Sequence, residues 1–294
     1  MISVAVVEFL AILPVLLLLA AVYGYKWWAD RQPRRDPLTT DLRRLPADSL
    51  MTRLDLMRDK GLDLILTATM VGGMSVVLIV LRRLPADIDW RLIDTLVLLG
   101  SLAVSGVLGQ RLVRLLPELA RMRAGIRAEQ AVAQELAEML AGRNRIIHDV
   151  QAKQFNIDHV VITPGGIFAV ETKSRLKPAT GQGSESVKVL YDGKGLKFPG
   201  WMETEPVEQA RRQADWLARH LQAATGERLP VVAVLALPGW YVENTARITD
   251  DMVRVINPKN ASWLFVKRPP VLDDAALQRA IHAVEKLAAV PAKD

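Results

Sequence analysis

The chain has 294 residues, no cysteine and four histidines, His148, His159, His220 and His282. Disulfides, thiolate nucleophiles and Cys-ligated zinc are thereby excluded, and no two histidines stand at metal-ligand spacing. The net charge of +6 is uneven: residues 1–127 hold 17 Lys/Arg against 12 Asp/Glu, and residues 128–294 hold 21 against 20. The basicity is thus an N-terminal property, which segments flanking a bilayer explain as well as nucleic-acid binding does.

Half of the residues are hydrophobic and the mean hydropathy is +0.16, in keeping with some bilayer-embedded sequence. Three apolar stretches precede residue 110: Phe9–Tyr25, Leu64–Leu81 and Thr95–Gly109. They predict transmembrane helices over about 5–25, 62–81 and 92–110, each near the length needed to cross a hydrocarbon core. Soluble core helices are the alternative for the second and third, and a cleaved signal peptide for the first. No Lys or Arg precedes the first stretch, however, and Tyr23, Tyr25, Trp27 and Trp28 flank its end as an interfacial belt would. Residues 26–60 carry nine Lys/Arg. The positive-inside rule then predicts an outside N-terminus and a cytosolic C-terminal half. The expected division is a membrane anchor, 1–121, followed by a cytosolic domain, 122–294. The heptapeptide LRRLPAD occurs twice, at Leu42–Asp48 and Leu81–Asp87, and reads as a coincidence or a recurrent turn before a helix.

From Gly125 the pattern changes. GIRAEQAVAQELAEML reads as an amphipathic helix with Val132, Leu136 and Leu140 on one face. Glu129 lies on that same stripe, and a carboxylate facing a core needs a partner; Arg143 and Arg145 are candidates. Strands are predicted at Arg145–Val150, Asn156–Thr163 and Ile167–Lys173. Pro164-Gly165-Gly166 makes a hairpin of the last two. Side chains alternate along a strand. Glu171 and Lys173 therefore share one face, Phe168, Val170 and Thr172 take the other, and Asp158 on the adjacent strand reaches the Glu171 face.

Two carboxylates on neighbouring strands can share a divalent cation of the Mg²⁺ type. A lysine beside them can orient water and stabilise developing negative charge. No phosphate-binding P-loop, nucleophile elbow or zinc-protease motif competes with this set. His159 follows Asp158 and so faces away from it, as a packed or hydrogen-bonded histidine; His148 reads similarly.

The run AGIRAEQAV, RIIHDV and NIDHVVITPGGIFAVETKS resembles the nuclease-related domain family, NERD, of the PD-(D/E)xK restriction-endonuclease-like superfamily. The resemblance covers about residues 122–260 and is strongest over 125–174. It implies an α/β fold, a central mixed sheet flanked by helices, behind the N-terminal transmembrane helices. It implies Asp158 and Glu171 as the metal-binding acids, with the carbonyl of Thr172, and Mg²⁺ or Mn²⁺ as the cofactor. It implies Lys173 as the catalytic lysine and Glu129 as the helix acid. Glu205-Pro206-Val207-Glu208-Gln209 resembles the family's N-P-x-x-Q helix start, which assigns Gln209 a role on phosphate or water, although Glu205 stands where Asn is usual.

Residues 173–199 add Arg175, Lys177, Lys188, Lys194 and Lys197 among several glycines, a basic hairpin or loop suited to a phosphodiester backbone or simply to solvent. Trp201 nearby would stack on a base or pack. A helix from Glu205 to Gln222, strands at Leu229–Leu237 and Met252–Ile256, and a helix capped by Asp273 or Asp274 complete the domain. The expected function is that of a membrane-anchored, metal-dependent nuclease, foremost on DNA, at the cytoplasmic membrane of a bacterium. A silent module tethering DNA or protein to the bilayer, or a membrane scaffold, is the competing expectation. The lipid bilayer, a second copy of the chain and a membrane protein are the further expected partners.

Overall fold

A computed structural model describes residues 42–83, 92–140, 142, 144–177 and 187–290, together with 21, 23, 24, 27 and 28. Almost all of the first predicted span lies outside these residues. The chain divides into two compact units, one of residues 1–39 and 56–119, the other of 40–55 and 120–294.

The second and third apolar stretches lie in the first unit, on residues 56–83 of helix α1 (Asp48–Arg83) and 92–119 of helix α2 (Leu92–Met139). Both helices are long and apolar enough to cross a membrane. Leu66, Met70 and Leu78 on α1 and Leu96, Leu99 and Leu102 on α2 are exposed, whereas a soluble core helix would bury such side chains. The third predicted span and the amphipathic helix after Gly125 are one element: α2 runs unbroken for 48 residues, through Pro117.

The second unit holds the other elements. A five-stranded mixed sheet has the order β10-β8-β4-β3-β2. Its strands are β2 (Arg145–Gln151), β3 (Asn156–Thr163), β4 (Gly166–Thr172), β8 (Val231–Ala236) and β10 (Arg254–Ile256). β2, β3 and β4 run antiparallel, and β4, β8 and β10 run parallel. The alternation of the central strands is visible in the core. Val160, Ile162, Ile167 and Ala169 pack with α3 (Glu205–Thr225) and α5 (Asp274–Ala288). Val161, Phe168 and Val170 pack on the other face with Val132 and Leu136 of α2 and Leu264 and Phe265 of α4 (Ser262–Phe265).

The β3–β4 hairpin closes where expected, with Thr163 paired to Gly166. Its turn is tight: a Cβ on Gly165 would lie 2.8 Å from Cβ of Arg268, so the position needs glycine. Between β4 and α3 the expected basic hairpin is present as an antiparallel pair, and it belongs to a sheet that the sequence did not foretell. β5 (Lys188–Tyr191), β6 (Leu196–Phe198) and β7 (Trp201–Glu203) join β9 (Tyr241–Asn244) in a second, four-stranded sheet. Tyr191, Leu196, Phe198 and Trp240 form its core.

Residues 42–55 form part of this unit. β1 (Leu42–Arg43) pairs antiparallel with β11 (Ala289–Val290). Arg44 Nη1 donates to Asp149 Oδ2 at 3.0 Å, and the Ser49 N–H and hydroxyl donate to the same carboxylate at 3.2 and 2.7 Å. Asn156 Nδ2 adds a further bond at 2.8 Å. Asp149 is fully buried and takes φ +49°, a left-handed conformation that aspartate tolerates better than most residues. The first LRRLPAD copy is therefore the clamp that leads into α1. The second begins within α1 and then leaves the described residues.

Candidate active site

The β3–β4 register sets the site. His159 pairs with Val170, so the next position along places Asp158 opposite Glu171. Directly opposed residues on antiparallel strands have Cβ atoms about 4.5–5.5 Å apart, on one face of the sheet. Both side chains are buried, at 6% and 3% exposure. The Thr172 N–H donates to Asp158 Oδ2 at 2.7 Å.

Lys173 reaches back to Glu171. Its Nζ donates to Glu171 Oε1 at 2.7 Å and to Gln209 Oε1 at 2.8 Å. Gln209 Nε2 donates in turn to the same Glu171 oxygen at 2.8 Å. The other oxygen, Oε2, accepts from Gln213 Nε2 at 2.6 Å, and that amide also donates to the Asn156 carbonyl at 3.0 Å. Gln213 is a residue that the sequence reading missed. It is polar, yet lies on the buried stripe of α3 with Ala210, Ala214 and Leu217. A glutamine on that stripe, one turn beyond Gln209, was the available signal.

Glu129 enters from α2 and is buried. Burial, with the negative charges of Glu171 and Asp149, pushes its carboxyl up to about 7, although Lys173 and the Ala47 N–H oppose this. Asp158 is raised well above the usual carboxylate range, by burial and then by Glu171 and Glu129. Arg145, one suggested partner of Glu129, instead pairs with Glu285 at 3.1 Å; Arg143 lies outside the described residues. His148 and His159 oppose each other across β2 and β3 with Nδ1 atoms 2.9 Å apart. Burial and the neighbouring His148 pull His159 down to about 3.

The expected basic residues have separate fates. Arg175 donates to both oxygens of Glu203, at 2.6 Å from Nη2 and 2.8 Å from Nε. Lys188 pairs with Glu243 at 3.0 Å, and Lys177 sits 5.9 Å over the Trp240 ring. Lys194 and Lys197 are exposed on the second sheet. Trp201 stacks on Phe198 at 4.7 Å and donates to Glu203. Arg175 and Trp201 are thus engaged with the protein itself.

Glu129, Asp158, Glu171, Thr172, Lys173 and Gln209 all line one cleft of about 760 Å³. Among the described residues no group of three or more His, Asp or Glu side chains is arranged to hold an ion. The donor set nevertheless fits a hard divalent cation. Asp158 and Glu171 supply paired carboxylates, the Thr172 carbonyl is adjacent in the chain, and Glu129 Oε2 is buried without a hydrogen-bond partner. Two carboxylates, with water completing the shell, suit Mg²⁺.

The site is thus a buried carboxylate pair at the end of a β-hairpin, with Glu171 held by a lysine of its own strand end and by two glutamines of a crossover helix. Residues 124–238 match the family model described as the nuclease-related domain, NERD. That match indicates a nuclease-related function for this part of the chain. No curated protein and no solved structure matches the chain.

The raised carboxyls carry a pH prediction. Glu129 and Asp158 both ionise at higher pH folded than unfolded. Between the unfolded and folded values the native state therefore holds more protons, and stability without metal falls as pH rises through that window. For Glu129 the window runs from 4.5 to about 7. A cation needs ionised ligands. Mg²⁺ is expected to raise the melting temperature more at pH 8 than at pH 5.5. Equal gains by scanning calorimetry would contradict this assignment.

Proposed function

We propose that the protein is a membrane-anchored, divalent-cation-dependent nuclease that hydrolyses phosphodiester bonds of nucleic acid, foremost DNA. The observation that carries the proposal is that Asp158, Glu171 and Lys173 line one cleft, with the Thr172 N–H on Asp158 and Lys173 bonded to Glu171. The match to the nuclease-related domain supports it.

Asp158, Glu171 and the Thr172 carbonyl would hold Mg²⁺ or Mn²⁺. Such an ion offsets charge on a bound phosphate and lowers the pKa of water. The protein's own groups do the rest. An ammonium carries three N–H donors, and Glu171 and Gln209 occupy two of those of Lys173. The third is left to face the charge that builds on the phosphoryl oxygens as water attacks and the P–O bond breaks. Gln209 and Gln213 fix the Glu171 carboxylate through both oxygens. Glu129 takes the part of an auxiliary acid at the edge of the site.

The two apolar helices support the anchor. The basic residues in 26–60 support a cytoplasmic placement of the nuclease-like domain, with the N-terminus outside, in a bacterial inner membrane.

The full chain, purified in detergent micelles, tests the proposal on single- and double-stranded DNA and on RNA. Cleavage is expected with Mg²⁺ or Mn²⁺ and not with EDTA. Intact strands under every metal condition, with binding retained, would point instead to a silent tether.

A further inference from the structure

The cleft that holds the acids is also lined by Arg53 of α1 and by Arg121 and Arg127 of α2. All three are exposed, whereas Glu129, Asp158 and Glu171 are buried. Unlike Arg175 and Lys188, they have no hydrogen bond or ion pair among the described residues. We propose that Arg53, Arg121 and Arg127 form a cationic rim that binds the phosphodiester backbone of a nucleic-acid strand on either side of the bond to be cut. This rests on the nuclease reading above and names a binding surface for it.

The charge arrangement selects the ligand class. A lone phosphate drawn to the rim gains nothing from the anionic floor below. An extended polyanion occupies both levels: flanking phosphates meet the guanidinium groups, and the central one lies over the carboxylates and their cation. Guanidinium forks match phosphate oxygens bidentately. An anionic lipid headgroup shares the phosphate chemistry, but it has no second group to place over the acids.

None of these arginines was legible as part of a site. Arg53 and Arg121 fall within the segments that the sequence assigns to membrane flanks, and only the packing of residues 40–55 with 120–294 brings them to the acids.

The test uses the full chain in micelles of a zwitterionic detergent. Fluorescence anisotropy in Mn²⁺ follows binding of a labelled oligonucleotide, protected from cleavage by phosphorothioate linkages, across a salt series. An Arg53→Gln/Arg121→Gln/Arg127→Gln variant is expected to bind at least about tenfold more weakly at 0.1 M salt, with a log–log salt slope shallower by about 2–3, as three lost phosphate contacts require. An Arg279→Gln/Lys286→Gln variant, on the exposed side of α5, is expected to bind like the parent. Retained Mn²⁺ binding in the arginine variant would show that the acid site survives. Unchanged affinity and slope would overturn the proposal. So would a variant that loses retention on phosphatidylglycerol vesicles while holding the oligonucleotide as before, since the rim would then read lipid. If the parent itself binds no oligonucleotide at any salt concentration even with Mn²⁺ present, the nuclease reading fails and the rim proposal falls with it.

Discussion

Lys173→Ala is expected to slow strand cleavage by about 10²–10³-fold, the usual loss when a donor aimed at developing charge is removed. The ammonium has a double task. It donates to Glu171 and Gln209, so its loss leaves a buried carboxylate with less support. It also opposes the upward push on Glu129 and Asp158. Without it both carboxyls ionise at still higher pH, and the acid limb of the rate profile is expected to move upward. Lys173→Arg should restore charge and only part of the rate, because a planar fork does not reproduce a compact ammonium held at 2.7 and 2.8 Å by two acceptors. Single-turnover rates across pH check all three points. A Lys173→Ala enzyme with the parent's rate and profile would remove the lysine from the mechanism.

The second large effect concerns the clamp. Asp149 is fully buried, and Arg44 just before α1 and Ser49 in its first turn reach it. Removing one partner of a buried ion pair costs about 3–5 kcal/mol. The Arg44 side chain is 22% exposed, which discounts this to about 2–3 kcal/mol, or roughly 5–10 °C in melting temperature for a unit of this size. Arg44→Ala is therefore expected to melt well below the parent by circular dichroism. A fragment of residues 122–294 loses Arg44 and Ser49 together, along with the β1 partner of β11. It is expected not to unfold cooperatively. A fragment as stable as the full chain would show that the clamp is dispensable.

The hairpin of β3 and β4 was legible because alternation and a Pro-Gly-Gly turn specify both its register and its faces. That Glu171, Lys173 and Asp158 share a face followed from that period, and their expected roles from the resemblance to the nuclease-related domain. What escaped the sequence depends on long-range packing. Arg44 and Asp149 are separated by 105 positions, and nothing local in LRRLPAD says which carboxylate it will meet. The second sheet was hidden because β5, β6 and β7 are only three or four residues each, too short for periodicity to declare. Arg175 read as a free cation, yet Glu203, which claims it, comes from β7 of that same sheet. The expected division between residues 121 and 122 falls inside α2, which continues through it. Gln213 was concealed by its neighbours, since a stripe of Ala and Leu reads as core even when one member is an amide bonded to a buried carboxylate.

Binding of a single cation at the acid pair is the claim on which the rest stands, and Mn²⁺ electron paramagnetic resonance on the full chain tests it most directly. One Mn²⁺ per chain is predicted for the parent, with affinity at least about tenfold weaker in Asp158→Asn and in Glu171→Gln, since each removes one of two charged ligands. Mn²⁺ held equally well by the parent and both variants would contradict the account.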